Sequence, residues 1–332
     1  MEKYLITEVK PYAREPVLRR MKDGSLVIMT LTGGPKEPDN ENVVKMTRST
    51  DDGKTWSDLE IKFAHSERAC WCTEIFTECE KPFAFVQTYY APCSYREIQA
   101  YISYCSDDGK TWSEPVSIPS PVQSCSVRQG FVMSNGEIIF PMYWQESKEG
   151  FDWTEKDKKM NWLFTSGVLI SSDGGKTFFP YGRFAHPTAH LWEPNTVEVE
   201  DGHLITYLRY SGADDGYLYI TESFDYGRTW SEVVKSDIPN ADTKVSVTKI
   251  NDTIVMANNF TTVTGWENRK CLCLAVSKDG KNFEKIVELD KQDERWLYPH
   301  LYVDYAQKVL HVAYENGQTH NLKKFSFEEL GL

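Results

Sequence analysis

No stretch of about 18 consecutive apolar residues occurs in this chain of 332 residues, so no helical membrane span is expected. The opening residues, Met1-Glu2-Lys3-Tyr4-Leu5-Ile6-Thr7-Glu8-Val9, lack the apolar run of a signal peptide and read as a strand, which makes a cytoplasmic location the expectation. Basic charge is in the minority, with 37 Lys and Arg against 49 Asp and Glu and a formal net charge of −12. Binding to a phosphate backbone needs a basic surface, so nucleic acid is not expected as a partner. Ser/Gly-rich linkers, charge blocks and low-complexity tracts are missing, and no long segment keeps a helical period. Zinc-type cysteine pairs are missing too. The eight cysteines include Cys70-x-Cys72 and Cys271-x-Cys273, but on a strand that spacing only sets both thiols on one face. Zinc sites use wider pairs with matching partners, so the cysteines read as free core thiols and no metal is expected.

What the chain does have is one short stretch written several times. Ser49-Thr50-Asp51-Asp52-Gly53-Lys54-Thr55-Trp56 reads as Ser-x-Asp-x-Gly-x-Thr-Trp. Near copies are Cys105–Trp112, Ser171–Phe178 and Ser223–Trp230, and a copy one residue short runs Ser277–Phe283. The threonine position steps from 55 to 111, 177 and 229, then to Asn282, at intervals of 56, 66, 52 and 53 residues. A repeat of that length means stacked or radially arranged units. Asp caps nearby backbone N–H groups and Gly accepts positive φ, so each copy should be a tight turn. The Trp or Phe that follows is an apolar plug suited to the space between neighbouring units. The box is therefore structural and carries no chemistry itself.

Between the boxes lie short β-type runs such as Ser25–Thr30, Phe83–Tyr90, Glu137–Tyr143, Leu204–Leu208 and Val309–Tyr314. Turn residues precede most of them, as at Asp23-Gly24, Asn135-Gly136, Asp201-Gly202 and Asn251-Asp252. The tail at Phe325–Leu330 reads as an edge strand or a single turn. Units of this length holding about four strands each describe β-propeller blades. Five boxes make five blades. Residues from about 285 to 332 supply three more strands, and the N-terminal strand near Leu5–Val9 the fourth. The expectation is an all-β, six-bladed propeller spanning 1–332 as one domain, with the N-terminal strand closing the last blade and removing an exposed sheet edge.

Aligning the blades on their turns puts Glu15, Glu193 and Tyr298 at one phase of the repeat, with Arg14 one residue ahead. Equal phase in a radial repeat means equal height in the ring. These residues should begin inner strands and converge at one mouth of the central channel. Arg209, Arg269 and Asp39 are placed near the same mouth. Three arginines in an acidic protein make a local positive site, and guanidinium forks suit a carboxylate, so an acidic small ligand is expected. A tyrosine beside a glutamate is a potential nucleophile and base, since free Tyr is a poor nucleophile without one.

The boxes resemble the Asp-box, or BNR, repeats of the sialidase (neuraminidase) superfamily, over nearly the whole chain. Flanking segments carry the resemblance further. Arg14-Glu15-Pro16 running to Gly24-Ser25-Leu26 is similar to the family's opening Arg-Ile-Pro, with Glu15 in place of the apolar residue. Trp192-Glu193-Pro194-Asn195 followed by Arg209 resembles the family's catalytic Glu and second Arg. Arg269, eight residues before Ser277, resembles the third Arg, and Tyr298, followed by Tyr314-Glu315, the nucleophile. Asp39, in Glu37-Pro38-Asp39-Asn40, resembles the acid/base Asp, with Glu41 and Glu37 as rivals. The resemblance implies retaining hydrolysis of an α-ketosidic bond in sialic acid, a sialoglycoconjugate or a related acidic sugar. Arg14, Arg209 and Arg269 would hold the carboxylate, Asp39 would protonate the leaving oxygen, and Tyr298, deprotonated by Glu193, would attack. No metal or organic cofactor is implied.

Each assignment has a plainer counterpart. Arg14 can bridge glutamates at a blade start, Glu193 can be a rim carboxylate, Asn268-Arg269-Lys270 a solvated turn, and Tyr298 a core aromatic. His186, His190, His300 and Arg128 sit near predicted mouth loops, and Trp162 and Trp192 can stack on a sugar or pack in the core. Two other functions stay open: a hydrolase or lyase of another acidic sugar such as a uronate, using His and Tyr, and a non-catalytic glycan-binding propeller.

Overall fold

In the computed structural model, residues 2–93, 95, 97–106, 108–147, 162–212 and 215–332 are described. Asp107 of the second box lies outside them, as does the side chain of Cys93. Six antiparallel sheets follow one another along the chain. Their inner strands are Ala13–Arg20, Ala69–Phe76, Cys125–Val127, His190–Glu200, Ser246–Ile250 and Leu297–Asp304. The third sheet carries an extra short strand, Phe131–Val132, paired with Ile138–Ser147. The inner strand of each sheet packs beside the next sheet, and Leu297–Asp304 packs back on Ala13–Arg20, which closes a six-bladed β-propeller. In the sixth sheet the outer place is taken by Glu2–Glu8, paired with Thr319–Ser326. The tail beyond that strand forms a single turn, Glu328–Leu330.

A blade wedged between two others buries both faces, so its middle strands are buried continuously instead of at alternate positions. Leu26–Thr32 and Phe83–Tyr89 are buried at every position. The core is accordingly divided into layers between blades. One joins Val27 and Met29 to Cys70 and Ile75, and the next joins Phe76 and Phe85 to Phe140 and Leu169. Another joins Ile139 and Ile170 to Leu204, and the ring closes where Leu18 and Ile28 meet Ala313 and Leu322.

Each box links the third strand of its blade to the fourth. Its aromatic residue enters the layer facing the preceding blade: Trp56 meets the sixth blade, Trp112 the first and Phe178 the second, with Trp230 and Phe283 repeating the arrangement. In the first box Ser49 Oγ donates to Asp51 Oδ1 at 2.8 Å, and Thr55 donates to the same carboxylate through its N–H and its hydroxyl. The Thr55 bonds hold the Asp51 carboxyl down at about 2. In the shortened fifth box Asn282 Nδ2 replaces the threonine hydroxyl, donating to Asp279 at 2.6 Å. In the fourth box Asp225 accepts from Ser223, Arg228 and Thr229. Asp225→Ala should therefore lower unfolding stability by about 1–3 kcal/mol, measured as a fall in the urea midpoint at unchanged slope.

Candidate active site

The inner strands are interrupted where the sequence phase places Glu15, Glu193 and Tyr298. Strand register slips between Arg14 and Val17, between Trp192 and Asn195, and between Leu297 and His300. All three residues take left-handed backbone, with φ of 48°, 44° and 51°. Positive φ costs a residue with a Cβ about 1–3 kcal/mol, and bulges of this kind re-aim side chains. Here they aim them into one cavity of about 500 Å³ at one end of the inner strands, lined by Glu15, Glu193, Tyr298, Arg14, Arg209 and Arg269. An aromatic wall of Trp71, Tyr89, Tyr95, Tyr143 and Trp192 completes one side.

The arginines are held in different ways. Arg209 Nη1 donates to Glu193 at 2.6 Å and its Nε to Asp242 at 2.7 Å, while its guanidinium lies 4.2 Å from the Trp192 ring centre. Arg14 bridges two glutamates, as the plainer reading of its position allows: Glu315 at 3.5 Å and Glu37 at 3.5 Å. Arg269 is 7% exposed and its Nε finds no acceptor among the described residues. Arg14 and Arg269 share one platform, the half-exposed indole of Trp266, at 4.8 and 4.7 Å. Cation–π contacts of this kind contribute about 0.5–2 kcal/mol each and steady the guanidinium planes.

Titration behaviour follows from this packing. Burial, then the Glu193 charge, pushes the Tyr298 hydroxyl above its ordinary value of 10, against the pull of Arg269 and Arg209. Burial alone would raise Glu193 as well, but Arg209 and Arg128 overcome it, and its carboxyl lies below the ordinary range. The pair thus rests as a protonated phenol facing an ionised carboxylate.

Asp39 is not brought to the cavity. Its Oδ1 accepts the Glu41 N–H at 3.0 Å, its own N–H donates to Asn42, and its side chain packs on Gly34. Two residues earlier, Glu37 does line the cavity. Burial, reinforced by Glu15, Glu315 and Glu193, lifts Glu37 to about 7 against the pull of Arg14. Its loop is pinned from below: buried Asn42 Nδ2 donates to the carbonyls of Gly33 and Lys36 at 2.6 and 3.0 Å, and the Tyr12 hydroxyl donates to the same two. Glu41 is exposed.

The histidines lie elsewhere. His300 is buried below the cavity, where its Nδ1 accepts the Leu18 N–H and Arg19 lies 3.3 Å from Nε2; burial and Arg19 depress its protonation well below the usual range. His190 accepts the Phe164 N–H at 3.0 Å beside buried Trp162, and His186 sits edge-on to Tyr210 and Tyr219. Arg128 is buried and paired with Glu15 at 3.1 Å. A polar layer closes the channel floor, where Gln129 Nε2 donates to the Leu301 carbonyl, Ser246 to Gln129, and Arg19 Nη2 to Glu74 at 2.5 Å. A second cavity of about 570 Å³ opens at the other ends of the inner strands. It lacks the arginine–tyrosine constellation. Trp266 escaped the sequence reading; its one signal is an aromatic residue outside any box, three positions before Arg269.

Propeller, boxes and cavity together define the sialidase-like class of six-bladed β-propellers. Residues 80–312 match the BNR repeat-like domain, and the chain belongs to that family. It is 24% identical over 219 residues to a sialidase of Bacteroides fragilis (strain YCH46), an alignment covering 57% of this chain and 37% of that relative. Among solved structures, the Hadza microbial sialidase Hz136 superposes with a TM-score of 0.73 at 17% identity, over 96% of this chain and 66% of that one. A Dyadobacter fermentans DSM 18053 protein of unknown function superposes with a TM-score of 0.74 at 16% identity, over 98% and 97%. These structural likenesses establish the fold.

Proposed function

We propose that the protein is a retaining exo-glycosidase that hydrolyses the terminal α-ketosidic bond of sialic acid or a related acidic sugar. The observation that carries this is the delivery of Tyr298 and Glu193, by two matching left-handed bulges, into a cavity that also holds Arg14, Arg209 and Arg269. Those arginines receive the substrate carboxylate. Arg209 is held closely by Glu193 and Asp242, which leaves Arg269, and beside it on Trp266 the more loosely paired Arg14, 3.5 Å from Glu37 and Glu315, as the charges most open to a ligand.

Tyr298 Oη attacks the anomeric carbon and passes its proton to Glu193 as the glycosidic C–O bond breaks. A neutral nucleophile avoids the repulsion that an aspartate or glutamate would meet beside the substrate carboxylate. The leaving oxygen takes its proton from Glu37, which we assign the acid/base role in preference to Asp39 because it faces the cavity. Water then attacks the glycosyl–tyrosine, giving its proton to Glu37, while the departing Tyr298 oxygen recovers its proton from Glu193. Fixed charges around the ring stabilise the oxocarbenium-like transition state.

Among the described residues no histidine lines this cavity, which favours the tyrosine hydrolase over a histidine-based lyase. A non-catalytic binder would have no use for a strained tyrosine in the same cavity as a carboxyl, Glu37, held up at about 7. The test is release of 4-methylumbelliferone from matched α-glycosides of N-acetylneuraminate and of glucuronate. Release from the sialoside supports the reading in full. Release from the uronide alone redirects the substrate, and release from neither by folded protein sinks the hydrolase reading.

A further inference from the structure

Three inner-strand residues share the same phase, bulge and left-handed backbone, and two of them, Glu193 and Tyr298, have roles in the proposed chemistry. The third, Glu15, has none. Its backbone is as strained as theirs, at φ 48°, yet it supports no apolar packing. Glu15 is 7% exposed and lines the cavity. Its Oε2 accepts from Arg128 Nη2 at 3.1 Å, across the channel from the third blade. Its Oε1 receives no hydrogen bond among the described residues. Glu37, Tyr95, Glu193 and Tyr298 line the same cavity, so the Glu15 carboxylate shares its space with the groups of the proposed chemistry.

Resting on the reading that this cavity holds an acidic sugar, we propose that Glu15 is a specificity-determining residue that accepts a hydrogen bond from a sugar hydroxyl through Oε1. A carboxylate bound to a guanidinium can only accept. It also repels the ligand's own carboxylate, which is drawn to Arg14 and Arg269. The part of the sugar over Glu15 must therefore be a donor remote from that carboxylate. The ligand class is an acidic sugar with a free hydroxyl there, and a sugar deoxygenated or acylated at that position is rejected. Discrimination by a buried group left unpaired is large, because the stranded carboxylate keeps its desolvation cost without its partner.

Binding separates this proposal from the chemistry. Calorimetric titration would use N-acetylneuraminate, glucuronate and the monodeoxy analogues of whichever binds, against wild type, Glu15→Gln and Glu15→Ala. Because Glu15→Ala strands buried Arg128, the double variant Glu15→Ala/Arg128→Met is measured alongside, with thermal melts to establish folding. One monodeoxy analogue is expected to bind wild type about 100-fold more weakly than its parent, and that ratio should collapse to within about threefold in the two variants with Ala at this position, while Glu15→Gln, whose amide still bonds a hydroxyl, keeps part of it. Equal ratios in wild type and variants, or no binding of either parent by wild type, overturn the proposal. If the collapse is seen but no glycoside is hydrolysed, the Glu15 assignment stands and the hydrolase reading alone fails.

Discussion

Tyr298→Phe is expected to reduce kcat for fluorophore release by about three orders of magnitude, with a much smaller change in substrate affinity. Losing an activated nucleophile, or the base that serves it, costs rate factors of this order or more. No protein group is bonded to the Tyr298 hydroxyl among the described residues, so the variant leaves no buried partner unsatisfied and its melting temperature should match wild type. Glu193→Gln should cost a comparable factor in kcat by a different route. It removes the proton acceptor and half of the Arg209 anchorage, so KM should rise as well. Equal turnover in wild type and Tyr298→Phe would eliminate tyrosine as the nucleophile and return the choice to the cavity carboxylates.

Glu37→Gln is the second large effect, and pH gives it its signature. Burial holds the Glu37 carboxyl up at about 7, so the acid form is present below that pH and lost above it. If Glu37 protonates the leaving oxygen, kcat/KM should fall as pH rises through about 7. Glu37→Gln should abolish that limb and lower the rate by about 10²–10⁴-fold for a poor leaving group. An aryl leaving group of low basicity needs little protonation and should lose far less. Asp39→Asn should retain activity within about tenfold, because its carboxylate only caps the turn to Glu41. The reverse pattern, with a large loss in Asp39→Asn and a retained limb in Glu37→Gln, would transfer the acid/base role to Asp39 and require the loop to rearrange on binding.

Sequence and structure meet at particular residues. The boxes were legible because each is a local device: an aspartate, a glycine and a threonine within a few positions satisfy one another, and the following aromatic residue must go somewhere apolar. The common height of Glu15, Glu193 and Tyr298 was legible because a radial repeat converts equal spacing from a turn into equal position along the channel. The left-handed bulges that aim them were not, since nothing in Arg-Glu-Pro, Trp-Glu-Pro or Tyr-Pro-His announces positive φ. The choice between Glu37 and Asp39 was equally hidden. The loop has no period, and its path is set by Asn42 and Tyr12 gripping the same two carbonyls.

By itself, then, the amino-acid order determined a ring of six sheets and the set of charged and aromatic residues gathered near one mouth, because both follow from short-range patterns repeated along the chain. Only the tertiary structure decided which carboxylate faces the cavity, that Trp266 carries two of the arginines, and that Glu15 is paired with Arg128, 113 residues away. Those are contacts between blades. Their energies depend on burial and on charges brought together across the channel, neither of which a linear spacing records.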